Sequence, residues 1–337
     1  MSKICYVPRN FQADSLAMIV QANKIIAEYE AQGLRLTLRQ LYYQHVARGL
    51  IANKQAEYKR LGSIVNDGRL AGLIDWDAIE DRTRSARLLS HWKTGADIVE
   101  SASWSFALDK WKGQQYRPEA WVEKEALAGV FEAACQPLDV TSFACRGYVS
   151  QSEMWAAGQR LRRYQNAGAQ PVILHFGDHD PSGIDMTRDI RERLSMFVVG
   201  GSPRRRPPIV VRVALNMDQI EELQPPPNPG KDTDSRFAAY REQFGDQSWE
   251  LDALDPRALR KLIEENVAKY RDDSLWDAQR DAEIEEKIAL RAAASQWDQI
   301  KDSLAEKIRQ MVDDAQEDEP EDEFSQDEPE DETPEEE

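Results

Sequence analysis

Cysteine is scarce in this 337-residue chain. It has three, Cys5, Cys135 and Cys145, with no CxxC spacing among them, which argues against a disulfide framework or a thiolate zinc cluster and predicts a reducing, cytoplasmic setting. Long apolar runs are missing too. The longest stretches, such as Pro171-Val172-Ile173-Leu174 and Pro208-Ile209-Val210-Val211, are strand-sized and far short of the roughly 20 residues a membrane span needs, so no membrane partner is expected. The N-terminus, Met1-Ser2-Lys3-Ile4-Cys5-Tyr6, lacks the charged-then-apolar build of a signal peptide. No GxxxxGKS or GxxxxGKT loop occurs, which predicts a chain without an ATPase of its own. What is present is length enough for two domains of ordinary size, each with its own core.

The formal net charge of −18 opposes nucleic acid, whose binding rests on lysine and arginine neutralising phosphates. The distribution reverses that. Residues 313–337 hold sixteen acidic side chains and no basic one, and the rest of the chain is close to neutral. Residues 1–117 carry 17 Lys and Arg against 12 Asp and Glu, among them Arg35, Arg39, Arg48, Lys54, Lys59, Arg60, Arg69, Arg82, Arg84 and Arg87. This excess is either a DNA-facing surface or an ordinary solvated one; charge alone does not choose. The acidic tail, with Phe324 its one aromatic, buries too little surface to offset the entropy of folding and is expected to be disordered. Its expected role is solubility, with folding back on the basic region as the alternative.

Apolar residues at helical spacing, Leu16, Ile19, Val20, Ala27 and Tyr29, predict a helix over residues 15–31, stopped by Gly33. Thr37 is a good N-cap for a second helix running to Gly49. A third, over residues 56–71, turns Tyr58, Leu61, Ile64 and Val65 inward and Lys59, Arg60 and Arg69 outward. A β-prone Leu73-Ile74-Asp75-Trp76 segment and Arg82-Thr83-Arg84 complete a winged-helix pattern of three helices and a small β wing, which would set one helix in the major groove. Beyond Trp111 strands alternate with helices, the pattern of a parallel sheet covered on both faces. Strands are expected near residues 117–122, 140–145, 171–176 and 209–213, with helices near 124–134, 152–166 and 184–197. Residues 224–230, rich in proline, should break all regular structure, and helices should return over 255–270 and 275–312.

The strand ending at Phe176 leads into Gly177-Asp178-His179-Asp180-Pro181-Ser182-Gly183 and then a helix. Ligands of parallel sheets bind at the carboxyl ends of strands, so Asp178 and Asp180 stand where a site is expected. Glu123 ends another strand in Ala120-Trp121-Val122-Glu123-Lys124-Glu125. Three hard oxygen donors at two strand ends suit Mg²⁺, which keeps waters and substrate phosphate in its other positions. The plainer alternative is a helix start, with Asp178 or Asp180 as N-cap and Pro181 at N1. His175 and His179 straddle a strand–turn junction rather than a helix face, which disfavours zinc.

A glutamate ending one strand and a DxD ending a later one resembles the Toprim pattern of topoisomerases, bacterial primases and some nucleases. Val122-Glu123-Lys124-Glu125 and Gly177-Asp178-His179-Asp180-Pro181-Ser182-Gly183 look most like the A subunit of DNA topoisomerase VI and its meiotic double-strand-break relative. Cys145-Arg146-Gly147-Tyr148 resembles that family's glycine-tyrosine turn, and Thr37-Leu38-Arg39-Gln40-Leu41-Tyr42-Tyr43 its active-site helix, in which an arginine precedes two aromatics and the second is the nucleophile. The likeness covers residues 36–212, and Trp249-Glu250-Leu251-Asp252-Ala253-Leu254 is similar to a late Glu-Leu-x-Ala-Leu element. Gln40 stands where the family commonly has aspartate, and the chain is short.

The resemblance implies an α/β protein. A winged-helix DNA-binding domain (1–112) with Tyr43 as candidate nucleophile precedes a Toprim domain, a Rossmann-like parallel sheet (113–255), then C-terminal helices (256–312) and the acidic tail (313–337). It also implies Mg-dependent DNA cleavage by transesterification, with a 5′-phosphotyrosyl link on Tyr43, phosphate stabilisation by Arg39, and Mg²⁺ on Glu123, Asp178 and Asp180. His45 is a candidate for moving a proton. The implied assembly is a homodimer in which the tyrosine of one protomer serves the metal site of its partner, with a separate subunit as ATPase for any strand passage. Two alternatives stay open: a hydrolytic Toprim nuclease using metal-activated water, and a non-catalytic DNA-binding protein with a vestigial site. Tyr42 and Tyr43 also suit a helix core.

Overall fold

The computed structural model describes residues 3–79, 90–229 and 234–317. Arg82, Arg84 and Arg87, the Arg82-Thr83-Arg84 part of the expected wing, and residues 318–337 of the tail lie outside these. The chain divides into two units, one from residues 1–87 and 109–280 and the other from residues 88–108 and 281–337.

In the first unit, α1 (Ala13–Glu30), α2 (Leu38–Ala47) and α3 (Gln55–Leu70) surround one apolar core. Thr37 caps α2 reciprocally: its Oγ1 accepts from Gln40 N at 3.2 Å while its own N–H donates to Gln40 Oε1 at 2.8 Å. The buried stripe of α1 is Met18, Ile19, Ala22, Ile25, Ile26 and Tyr29, so Leu16, Val20 and Ala27, expected on the apolar face, point to solvent. Helical spacing allowed either set, and the denser run of large aliphatics won the core. On α3, Leu61 and Val65 are buried, Tyr58 and Ile64 pack against the cluster, and Lys59 and Arg60 are exposed. Arg69, expected outside, turns back to donate to the carbonyls of Trp76 at 3.1 Å and Ile79 at 2.6 Å. The segment Leu73-Ile74-Asp75-Trp76 forms a turn leading into a 3₁₀ turn at Trp76–Ala78 instead of a strand, because Ile74 plugs the helical core.

The sheet has four parallel strands in the order β2-β1-β3-β4: β1 Tyr116–Val122, β2 Thr141–Ala144, β3 Gln170–Phe176 and β4 Ile209–Ala214. Alternation assigns its two faces. Ala120, Val122, Val172, Leu174 and Phe176 meet α5 (Ala128–Cys135) and α10 (Pro256–Ala268) on one side, whereas Trp121 and Ile173 meet α6 (Gln151–Asn166) and α7 (Pro181–Val199) on the other. Both faces are therefore covered, as expected. In the middle of β1 the fully buried Glu119 accepts two hydrogen bonds from Arg160, at 2.7 and 2.8 Å, and one from Trp121 Nε1 at 2.9 Å, which satisfies a charge the sheet could not otherwise hold.

Helix α4 (Gly95–Ser105) belongs to the second unit, and α8 (Met217–Leu223) and α9 (Phe237–Phe244) follow β4; none was expected. The proline-rich segment is not wholly irregular, since β5 (Asn228–Pro229) pairs antiparallel with β6 (Gln247–Ser248). The long C-terminal helix is two, α11 (Asp273–Ser295) and α12 (Trp297–Glu317), the second running past the boundary expected at residue 313. In the second unit Arg291 lies over the Trp104 ring at 4.2 Å. No helix among the described residues is long and apolar enough to cross a membrane.

Candidate active site at the carboxyl ends of the strands

Because β1 and β3 are neighbours paired Val122 to Phe176, the residues that follow them emerge side by side. Glu123 Oε2 accepts from Asp178 N at 2.8 Å, and Asp178 Oδ1 accepts from Leu251 N at 2.8 Å. The approach is close enough to demand glycine. A Cβ on Gly177 would stand 2.9 Å from Glu123 Oε2, and one on Gly183 would run into the Asp178 carbonyl oxygen. Beneath the loop, Arg212 of β4 donates to the carbonyls of Asp178 at 2.6 Å, Gly183 at 2.8 Å and Leu215 at 3.1 Å, holding the turn by its backbone.

Two further carboxylates join from a distant stretch. The backbones of His179 and Trp249 exchange hydrogen bonds of 2.8 and 3.0 Å, which brings Glu250 and Asp252 against the strand ends. Lys124 then bridges them: its Nζ lies 2.9 Å from Asp178 Oδ2, 3.0 Å from Asp252 Oδ1 and 3.2 Å from Glu250 Oε2. Arg39 of α2 makes ion pairs with Glu250 and Asp252 and stands 3.4 Å from the Tyr43 hydroxyl, which donates to Glu250 Oε2 at 2.6 Å. Tyr43 and Arg39 are thus joined to the carboxylates within one chain. Tyr43 is also a core residue, 4% exposed, edge-on to Tyr42. Tyr42 turns to Asn53 Oδ1 at 2.9 Å.

Asp180 plays the plainer part foreseen for it. Its Oδ1 accepts from Gly183 N and Ser182 Oγ, both at 2.7 Å, capping α7 with Pro181 at the first position. It lines a cavity of about 340 Å³ together with Arg39, Tyr43 and Glu250, while Glu123, Asp178 and Asp252 line a second, of about 390 Å³, that also contains Arg39 and Glu250. Among the described residues no group of three or more His, Cys, Asp or Glu side chains is gathered so as to hold a metal ion. Two of the expected ligands, Glu123 and Asp178, are adjacent; the third is turned to the helix, and the Lys124 ammonium, with Arg39 beside it, stands among the carboxylates. The donor set is nonetheless all hard oxygen, suited to Mg²⁺ by chemistry.

Electrostatics separates the carboxyls. Burial first, and then repulsion from Asp178, pushes Glu123 well above the usual carboxylate range. Asp178 moves up as well, again by burial, with Lys124 opposing. Burial acts upward on Glu250 as well, but there Lys124, the Tyr43 hydroxyl and Arg39 overcome it and hold the carboxyl down to about 2. Burial, then the charge of Asp252 and the bond to Glu250, raises Tyr43, so its hydroxyl is held protonated. Burial and neighbouring charge therefore push Glu123 and Asp178 one way and Glu250 the other.

The histidines lie apart from this chemistry. His45 is fully buried and its Nδ1 bonds the Leu41 carbonyl at 2.8 Å, so it is a core residue of α2 and lines neither cavity. His175 Nδ1 meets Thr187 Oγ1 at 2.9 Å, and His179 Nδ1 meets the Tyr240 hydroxyl at 2.9 Å. Lys124, Arg212, Glu250 and Asp252 received no role from the sequence. Arg212 carried a signal, a charge inside the apolar strand Val210-Val211-Arg212-Val213-Ala214, where burial on both faces leaves charge only with a purpose. No protein-family model matches the chain, and no curated protein matches it.

Proposed function

We propose that the chain cleaves DNA by tyrosine transesterification in the manner of the topoisomerase VI A subunit, its N-terminal helices acting as a winged-helix DNA-binding domain and its parallel sheet as a Toprim domain. The observation that carries this reading is the hydrogen bond from Tyr43 to Glu250, because Glu250 shares Lys124 with Asp178. Tyr43 Oη attacks the phosphorus of a phosphodiester; the Oη–P bond forms, the P–O3′ bond breaks, and the tyrosyl proton, relayed through Glu250, ends on the departing 3′-oxygen. Arg39 stabilises the charge on the phosphate oxygens. Glu123, Asp178 and Asp180 are the residues that would hold Mg²⁺, which when bound offsets the charge of the phosphate and the leaving oxygen. Paired nicks call for a symmetric homodimer, and strand passage for an ATPase on a separate subunit.

A hydrolytic nuclease is the second reading, favoured by the burial that holds the Tyr43 hydroxyl protonated. Supercoiled plasmid incubated with the protein and Mg²⁺ separates the two. The transesterase gives protein covalently attached to 5′ ends, and Tyr43→Phe abolishes both adduct and cleavage. Undiminished cutting by that variant establishes hydrolysis instead. If Asp178→Ala leaves every activity of the wild type unchanged, the site is vestigial.

A further inference from the structure

The opposite end of the same sheet carries charge of the other sign. Tyr116, Gln170 and Ile209 open β1, β3 and β4 beside a cavity of about 880 Å³, to which Arg204, Arg205 and Arg206 contribute and no carboxylate does. The loop is fixed by its backbone. Gln165 Nε2 donates to the Arg206 carbonyl at 2.6 Å, Gln170 Nε2 to the Pro207 carbonyl at 2.8 Å, and Arg205 N to the Ser202 carbonyl at 3.2 Å. Pro203, Pro207 and Pro208 stiffen it further. None of the three guanidinium groups forms an ion pair among the described residues, and Arg204 and Arg206 are exposed. Gln165 Oε1, in the same lining, is buried without a hydrogen-bond partner. Three uncompensated cations on a loop held by its backbone, beside amide side chains, match a phosphodiester backbone, because guanidinium forks pair bidentately with phosphate oxygens.

We propose that this groove is a second nucleic-acid contact, in which Arg204, Arg205 and Arg206 neutralise phosphates of duplex DNA at the end of the sheet away from the carboxylates. The proposal rests on the reading of the chain as a DNA-acting protein. Seven residues of β3 separate the two ends, so the contacts lie roughly 20 Å apart and engage different stretches of a duplex.

The test is anisotropy of a fluorescein-labelled duplex with the full chain, without divalent metal, from about 50 to 200 mM KCl, where each phosphate contact contributes a slope near −0.9 in log K against log salt. The Arg204→Gln, Arg205→Gln, Arg206→Gln triple variant is expected to lower that slope by about two to three and to weaken binding roughly tenfold or more at the low-salt end. Cleavage at saturating DNA should be retained. A triple variant with the wild-type slope and affinity overturns the second contact and leaves the cleavage reading intact. Wild type that cuts nothing, while the triple variant still loses slope, overturns the cleavage reading and keeps the contact. If the arginines serve only to neutralise the carboxyl ends of α6 and α7, the variant melts earlier and binds DNA as before, which also overturns the proposal. Loss of free-nucleotide binding with unchanged DNA affinity would make the groove a nucleotide pocket and overturn it equally.

Discussion

The two ends of this parallel sheet handle charge in opposite ways. At the carboxyl ends Asp178, Glu250 and Asp252 are buried or half-buried and interlocked through Lys124 and Arg39, Glu123 accepts from the Asp178 backbone, and the loop that carries Asp178 hangs from Arg212. At the amino ends three arginines stand on a loop that does not use them. A buried charge is tolerable only with its partners in place, so each group there is tied to others and its removal spreads. A solvated charge costs the fold little, so it is free to serve something outside the fold. The largest effects of substitution should therefore fall at the carboxyl ends, and the difference between the two ends is itself measurable.

Arg212→Met should be the most damaging single change away from the reacting groups. It strips the donor from the carbonyls of Asp178 in the loop and of Leu215 just after β4, and at about 1–3 kcal/mol for each buried acceptor left unsatisfied the loss should reach about 3 kcal/mol in urea unfolding. A loss below about 0.5 kcal/mol, the level of an ordinary surface change, would mean the loop is held by other means. Gly183→Ala comes next. The added methyl meets the Asp178 carbonyl, an overpacking expected to cost about 1–3 kcal/mol, and it should depress DNA cleavage more than stability because it displaces Asp178. Equal cleavage at saturating DNA would show that the position of Asp178 is not critical.

How much of this was legible in the sequence follows the range of each contact. Glu123 and Asp178 were readable because a strand end is a local event, and so was the capped start of α2, where Thr37 and Gln40 are three apart. The two possible roles of Asp180 share one local sequence, and only the fold shows it bonding Gly183 and Ser182. The stretch holding Glu250 and Asp252 was singled out only by its likeness to a late family element, and its place in the site was out of reach because the pairing of His179 with Trp249 that delivers it joins segments 70 residues apart. The inward face of α1 was read only in part, for Ile19 and Tyr29, by the same limit: Leu16 and Val20 fit a helical period as well as Met18 and Ala22 do, and the neighbouring helices choose. The break at Gln296 between α11 and α12 has no proline or glycine to announce it.

Acid should loosen the rim of the carboxyl end in a way the amino end does not share. Asp185, in the first turns of α7, is held from the ordinary 3.8 down to about 2, chiefly by its hydrogen bond from Arg188, with burial opposing and the Tyr148 hydroxyl and Arg236 assisting. A carboxylate depressed in the folded state stabilises the fold fully above its unfolded-state value and loses that contribution as pH falls through the folded value. The unfolding midpoint should accordingly drop between about pH 4 and pH 2, and Asp185→Asn should remove part of that drop. An Asn variant that follows the wild-type curve throughout would show that the cluster of Arg188, Tyr148 and Arg236 adds no pH-dependent stability.

The smallest effect sharpens the contrast most. The triple glutamine variant at Arg204, Arg205 and Arg206 removes three charges whose side chains make no ion pair among the described residues, and surface substitutions of this kind usually stay within about 0.5 kcal/mol. Its thermal midpoint should match the wild type to within a degree or two, in contrast with Arg212→Met, although Arg212 lies in β4 and the three arginines on the loop that leads into it. A clear fall in the midpoint would mean that the groove's cations stabilise the fold, and the two ends of the sheet would then differ in exposure alone. An unchanged midpoint together with a lost salt dependence of DNA binding would place structural charge at one end of the sheet and recognition charge at the other.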